Sequence, residues 1–180
     1  MRHANDLSFK LVTPEDAAEL LIFETQQRDW FERHIEARPK HFYTPEGIVQ
    51  HIIECLALNA QRRMSPLLIR DKGAIVGRAN LREMRNGHGK VGYRIAEQAC
   101  GQGIAQRALQ HLVNEARCVY RLNALSAIVS IDNRASQRVL EKVGFEVGEA
   151  LPEYSLVADQ KIDCVVYEKN MKITTQDSAV

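Results

Sequence analysis

No stretch of the 180-residue chain approaches the 18 or more apolar residues that a membrane-spanning helix needs. The opening Met1-Arg2-His3-Ala4-Asn5-Asp6 also lacks the apolar core of a secretory signal, so a cytoplasmic location is expected. Neither sign of charge dominates. The 24 basic and 23 acidic side chains leave a formal charge of +1, which recommends neither nucleic acid nor a membrane as partner. The four cysteines, Cys55, Cys100, Cys118 and Cys164, form no C-x-x-C pair and are expected as buried free thiols. The histidines, His3, His34, His41, His51, His88 and His111, lack zinc-site spacing, so no metal is expected. What remains, 45% hydrophobic and 26% charged residues, suits a single globular domain over residues 1–180. There is no internal repeat, linker or low-complexity segment, and the polar residues 172–180 are expected to fray.

Order along the chain follows from periodicity and punctuation. Leu7 to Val12 alternates like a strand, and Thr13-Pro14-Glu15-Asp16 carries the N-cap, proline and acidic first turn of a helix through Leu20, Leu21 and Phe23. Thr44-Pro45-Glu46 repeats that start ahead of Ile48, Ile52, Ile53 and Leu56, a stripe ending near Asn59 or Arg62. Pro66–Arg70 and Ala74–Leu81 flank Asp71-Lys72-Gly73, which reads as a hairpin. A further strand, Lys90–Ala96, follows the turn 85–89. A strand Ala124–Ile131 and a helix Asn133–Val143 come later, with Gly144 as its C-cap. The last strand, Ile162–Met171, is expected to pair with Phe145–Leu151 across a loop. Antiparallel strands followed by strand–helix alternation imply an α/β fold around a mixed sheet.

Between the strand at Val91–Ile95 and a helix stands Gln98-Ala99-Cys100-Gly101-Gln102-Gly103-Ile104-Ala105. Two glycines one residue apart let successive N–H groups converge, and the helix behind them adds the positive end of its dipole. Such a turn suits an anion, although Gly-x-Gly also serves as a plain chain reversal. The helix is real on its own terms: Ile104, Ala105, Ala108, Leu109, Leu112, Val113 and Ala116 form one stripe about four turns long. No Lys-Ser or Lys-Thr follows Gly103, and the third glycine of G-x-G-x-x-G is absent, so the common ATP and NAD loops are disfavoured. Cys100, close to the helix start, is either a reactive thiol or a small side chain filling the turn.

The residues Gln98 to Gly103 match the acyl-CoA loop [QR]-x-x-G-x-[GA] and so resemble the GNAT N-acetyltransferases. Downstream, Asn133-Arg134-Ala135-Ser136-Gln137-Arg138-Val139-Leu140-Glu141-Lys142-Val143-Gly144-Phe145 resembles the N-x-x-S-x-x-[VL]-x-x-K-x-GF segment of the RimJ/RimL branch, the ribosomal-protein N-terminal acetyltransferases. Together the two motifs cover roughly residues 66–170. The resemblance implies an α/β (α+β) fold with a mixed, mostly antiparallel, seven-stranded twisted sheet, about four flanking helices, and parallel strands 4 and 5 splayed around the cofactor.

It also implies acetyl-CoA as cofactor. The N–H groups of Gly101, Gln102, Gly103, Ile104 and Ala105, beside Gln98, would hold the pyrophosphate, and the backbone of Tyr93, Arg94 and Ile95 would pair with the pantetheine arm. Asn133 would contact that arm, serve as a plain N-cap, or do both. Many relatives carry an acidic tyrosine seven residues after the asparagine, where this chain has Leu140. The branch carries a serine instead, here Ser136, the candidate acid or hydrogen-bond donor to the leaving thiolate. Lys90 stands where many relatives have a glutamate, which leaves Glu83 as candidate base and His88 as an alternative; either also fits simple solvation. Trp30, Phe31, Arg33, Arg38, His41, Phe42 and Tyr43 would border the acceptor pocket or pack in the core. The expected acceptor is a primary amine, foremost a ribosomal or other protein N-terminus. The alternatives are a polyamine or aminoglycoside, or an acyl-CoA-binding sensor without catalysis. Either a monomer or a homodimer suits the composition.

Overall fold

The computed structural model describes residues 7–171; the expectations for residues 1–6 and 172–180 lie outside them. Seven strands, β1 (Leu7–Leu11), β2 (Ser65–Asp71), β3 (Ala74–Arg85), β4 (His88–Ile95), β5 (Ala124–Ser130), β6 (Glu146–Val157) and β7 (Gln160–Asn170), form one sheet in the order β1-β2-β3-β4-β5-β7-β6. Every neighbouring pair is antiparallel except β4 and β5.

The hairpins follow from left-handed residue pairs at their tips. Lys72 and Gly73 have φ of 50° and 87°, Asn86 and Gly87 of 51° and 75°, and Ala158 and Asp159 of 49° and 61°, the signature of tight turns matched to strand twist. The expected turn over 85–89 is therefore only two residues long, and β4 starts at His88. β6 also runs further than expected, to Val157, so that 152–157 is strand rather than loop. Register shifts between Val147 and Ala150 and between Leu151 and Ser155 break its apolar alternation, which is why the sequence does not announce it.

Five α-helices accompany the sheet: α1 (Ala17–Gln26), α2 (Arg28–Phe31), α3 (Pro45–Ala60), α4 (Ile104–Cys118) and α5 (Arg134–Lys142). The extra one beyond the expected four is the single turn α2. None among the described residues is long and apolar enough to cross a membrane. The Thr13 signal opens a short 3-10 turn, Pro14–Asp16, before α1, with the Thr13 N–H donating to Asp16 Oδ2 at 2.8 Å. Thr44 Oγ1 accepts from the Gly47 N–H at 3.0 Å and caps α3. α5 ends as expected at Gly144, φ 85°, where the Phe145 and Gly144 N–H groups donate to the Leu140 and Glu141 carbonyls.

Strand pairing sorts side chains onto two faces. Leu67, Ile69, Ala79, Leu81, Val91 and Ile95 pack against Ala108, Leu109, Leu112 and Ala116 of α4, all buried. Phe9 stacks on His111 of the same helix at 4.7 Å. Leu68 and Arg78 lie on the other face, under α1 and α3, with Leu20, Phe23, Ile48 and Ile52. Cys55 and Cys164 are buried as expected, but Cys100 and Cys118 are exposed: one stands on the loop before α4 and the other at that helix's last position.

Candidate functional site

β4 and β5 pair only at His88–Ala124, Gly89–Leu125 and Lys90–Ser126. Beyond Lys90 the two part, because β5 stays paired with β7 along its whole length while β4 stays with β3. The β5-facing backbone of Val91 to Ile95 is left without a sheet partner, and a Cβ built on Gly92 would meet nothing within 4 Å. A parted, half-unpaired strand is a template for an extended chain of amides. The end of this strand is pinned from α1 and α2. The Trp30 indole N–H donates to the Ile95 carbonyl at 3.1 Å, and Gln27 accepts from the Glu97 N–H at 2.9 Å while donating to Gln98 Oε1 at 3.2 Å.

The loop that follows has the shape its glycines suggest. Gly101 and Gly103 sit at φ 75° and 77°, and a Cβ on either would meet nothing within 4 Å. Among the described residues, the N–H groups from Gly101 to Ala105 donate to no protein acceptor, the first backbone bond into the turn being Arg107 N–H to Gly103 O at 3.1 Å. A row of free donors at the head of a 15-residue helix fits a pyrophosphate. Partial burial pushes the pKa of the Cys100 thiol up, and its Sγ donates to the Ala96 carbonyl at 3.4 Å.

Ser136 stands in the first turn of α5, its N–H donating to Asn133 Oδ1 at 3.1 Å. Asn133 is thus an N-cap, with its amide nitrogen left for other partners. The Tyr93 hydroxyl lies 2.9 Å from Ser136 Oγ, so β4 and α5 meet across the parted strands. Leu140, at the position of the usual tyrosine, is 1% exposed and part of the core. Burial raises the Tyr93 pKa, outweighing the hydrogen bond to Ser136, so the phenol keeps its proton at neutral pH. Glu83 is not part of this group. It occupies the irregular stretch of β3 at φ 52° and pairs with Lys90, three residues or about 10 Å along β4 from Tyr93. The hydrogen bond from Lys90 holds its carboxyl below the usual range, and His88 lies further off, at the first rung with β5.

Tyr93 and Ser136 lie on the α4 side of the sheet; Arg94, the next residue, points to the α1–α3 side. There the fold assembles a cluster in which Arg94, Arg38, Phe31 and Phe42 are expected site residues, whereas Glu24, Arg78 and His51 are not. Glu24, 0% exposed, accepts from Arg78 at 2.7 Å and from Arg94 at 3.3 Å. Burial alone would raise its pKa; the charges of Arg78 and Arg94 outweigh that and hold it low. His51 Nε2 lies 2.8 Å from an Arg78 amino group and must accept, and burial with the adjacent guanidiniums drives its pKa down to about 3. Arg94 lies over the Phe31 ring and Arg38 over that of Phe42, both rings being core residues. Burial, then the repulsion of its neighbours, lowers Arg94 to about 10. A signal for Glu24 and Arg78 does exist: a carboxylate four residues after Leu20 on an apolar stripe, and an arginine inside Ile75-Val76-Gly77-Arg78-Ala79. Of the other expected pocket residues, Arg33 is exposed and forms a long 3.9 Å pair with Glu97, and His41 is exposed.

A family model described as an acetyltransferase (GNAT) domain matches residues 6–146. Among curated relatives, an N-acetyltransferase named p20 from Bacillus licheniformis is 24% identical over 118 residues, 64% of this chain and 66% of that protein. Among solved structures, the ribosomal-protein-S5-alanine acetyltransferase of Vibrio fischeri superposes with a TM-score of 0.90 at 21% identity, covering 94% of this chain and 95% of the other. RimL, a ribosomal L7/L12 α-N-protein acetyltransferase solved with coenzyme A, gives 0.88 at 17% identity, covering 93% and 96%.

Proposed function

The chain belongs to the GNAT family of acetyl-CoA-dependent acetyltransferases, and on that premise we propose that it acetylates the α-amine of a protein or peptide N-terminus. The sign of charge across the parted strands carries this reading. Three guanidiniums, Arg38, Arg78 and Arg94, surround the single carboxylate of Glu24, so a polyamine or an aminoglycoside would meet repulsion where it needs acid. The two fold neighbours named as ribosomal-protein acetyltransferases support the same acceptor class.

Acetyl-CoA supplies an activated acetyl thioester. The Gly101 to Ala105 N–H groups would bind its pyrophosphate, Gln98 would brace the loop, and the β5-facing backbone of Tyr93, Arg94 and Ile95 would align the pantetheine amides beside Asn133. Ser136 Oγ would donate a hydrogen bond to the departing thiolate, and Tyr93 would hold that hydroxyl in place and replenish its proton. Glu83, paired to Lys90, is weakened as a base. An N-terminal α-amine tolerates this, because its reference pKa near 7.7–8.0 leaves part of it neutral at pH 7.

Thiol release from acetyl-CoA, measured against a panel of N-terminal peptides, polyamines and aminoglycosides, tests the reading. Turnover with peptides is expected. Turnover confined to polycations would overturn it, and coenzyme A binding without release on any acceptor would favour a sensor.

A further inference from the structure

Among the described residues, Arg38 is a cation without a counterpart. It precedes the 3-10 turn Lys40–Tyr43, its guanidinium lies 4.3 Å from the centroid of the Phe42 ring, and its Nε is buried with no partner. Among the described residues it joins no ion pair. Glu24, the carboxylate whose charge reaches it, already has one oxygen on Arg78 and the other on Arg94. Arg94 itself donates a single bond, at 3.3 Å, and its side chain is 21% exposed, so most of its donor fork is open. His51 is fixed as a neutral acceptor of Arg78. The cluster therefore holds three cations and one anion in a partly desolvated space, an arrangement that calls for another anion.

A second orphan stands beside it. Asn80 Oδ1 is buried and, among the described residues, accepts nothing. Asn80 lies on the same face as Arg78, two residues further along β3, and pairs with Gly92 where β4 has just left β5 and the space above the glycine is open. A free carbonyl oxygen at the gap and two under-used guanidiniums beyond it complement a molecule with an N–H donor at one end and an anion at the other.

We infer that the acceptor is an amine bearing a carboxylate or phosphate near its reacting nitrogen: the amine donates to Asn80 Oδ1 and the anion seats between Arg38 and Arg94. This deepens the N-terminal reading and rests on it for the carrier, a peptide with an acidic residue at its first or second position; a small amine carrying a phosphate is the other source of the same chemistry. In the transfer the amine nitrogen bonds to the acetyl carbon and the carbon–sulfur bond breaks. The thiolate takes its proton from the Ser136 side, and the amine loses one to water.

Matched acceptors decide it: an Ala-Asp peptide against its Ala-Asn counterpart, and phosphoethanolamine against ethanolamine, followed by thiol release. The Ala-Asp peptide is expected to have kcat/KM at least tenfold above Ala-Asn. Arg38→Gln, which removes a guanidinium that lies over the Phe42 ring but joins no ion pair among the described residues, should erase that preference, with Arg38→Lys restoring part of it. Asn80→Leu should lower kcat/KM for every acceptor without lowering the urea midpoint, since it removes an unpaired buried oxygen. Equal use of acidic and neutral acceptors would overturn the inference while leaving the N-terminal reading intact. Preference for phosphoethanolamine with no peptide turnover would sink the N-terminal reading and keep the anionic acceptor. If no acceptor turns over, calorimetric titration of the same four onto the coenzyme A complex decides: tighter binding of the anionic members supports the inference, and equal or absent binding overturns it.

Discussion

The Tyr93 hydroxyl and Ser136 Oγ, 43 residues apart in sequence, lie 2.9 Å from each other across the parted strands β4 and β5. A serine hydroxyl alone is a poor acid, but one that accepts from a protonated phenol can give its own proton to a thiolate and recover it. Ser136→Ala is expected to lower kcat by about 10- to 100-fold, and Tyr93→Phe by less, with the KM for acetyl-CoA little changed in either. If the two act as one unit, the double variant will be no worse than Ser136→Ala. Additive losses in steady-state kinetics would show that Tyr93 works independently of the serine.

That contact was not legible in the sequence, and the reason is geometric. The loop and its helix are local features, announced by Gly101, Gly103 and a stripe of period 3.6. The hairpins and helix caps at Asn86-Gly87, Thr44 and Gly144 are equally local. Tyr93 and Ser136 meet only because β4 leaves β5 after Lys90, which depends on what β7 does to β5. Glu24 and Arg78 each sat in an apolar pattern as an anomaly. Pairing them required knowing that α1 covers the face of β3 that carries Arg78, a fact of packing rather than of periodicity. The bulges that hid the second half of β6 work the same way, since each shift moves later side chains to the other face.

The glycines of the loop can be separated from ordinary turn glycines. Gly73, in the β2–β3 hairpin, shares their positive φ and open surroundings. Alanine at Gly73, Gly101 or Gly103 should each cost about 1–2 kcal/mol of stability from the left-handed backbone alone. Only the loop variants should also raise the KM for acetyl-CoA, by about tenfold or more, because their new methyl groups intrude where the pyrophosphate approaches the backbone. Urea melts with parallel kinetics check this, and a similar KM rise in Gly73→Ala would count against the cradle.

His51 makes the fold sensitive to acid. Its pKa falls from 6.5 to about 3 on folding, so below pH 6.5 the unfolded chain takes up a proton that the folded one refuses. Its contribution is complete above pH 6.5 and shrinks as the pH drops towards 3, by about 1 kcal/mol per pH unit within that window. Glu24, also held low, adds its own loss only below its ordinary value of 4.5. Between pH 6.5 and 4.5 the slope should therefore belong to the histidine. His51→Gln, which can still accept from Arg78, should flatten it; denaturation midpoints across that range will show whether it does.

Excess positive charge in the cluster gives its members unequal importance. Glu24→Gln keeps the shape but leaves Arg78, 2% exposed, and Arg94 without a counter-charge, and should destabilise by about 3–5 kcal/mol. Arg78→Met removes one of three mutually repelling cations and leaves Glu24 paired with Arg94, so its cost should be smaller despite the lost 2.7 Å contact. Urea unfolding of the two variants measures the difference. A larger loss for Arg78→Met would mean that the bonds Arg78 makes to Glu24 and His51 outweigh the repulsion among the three cations.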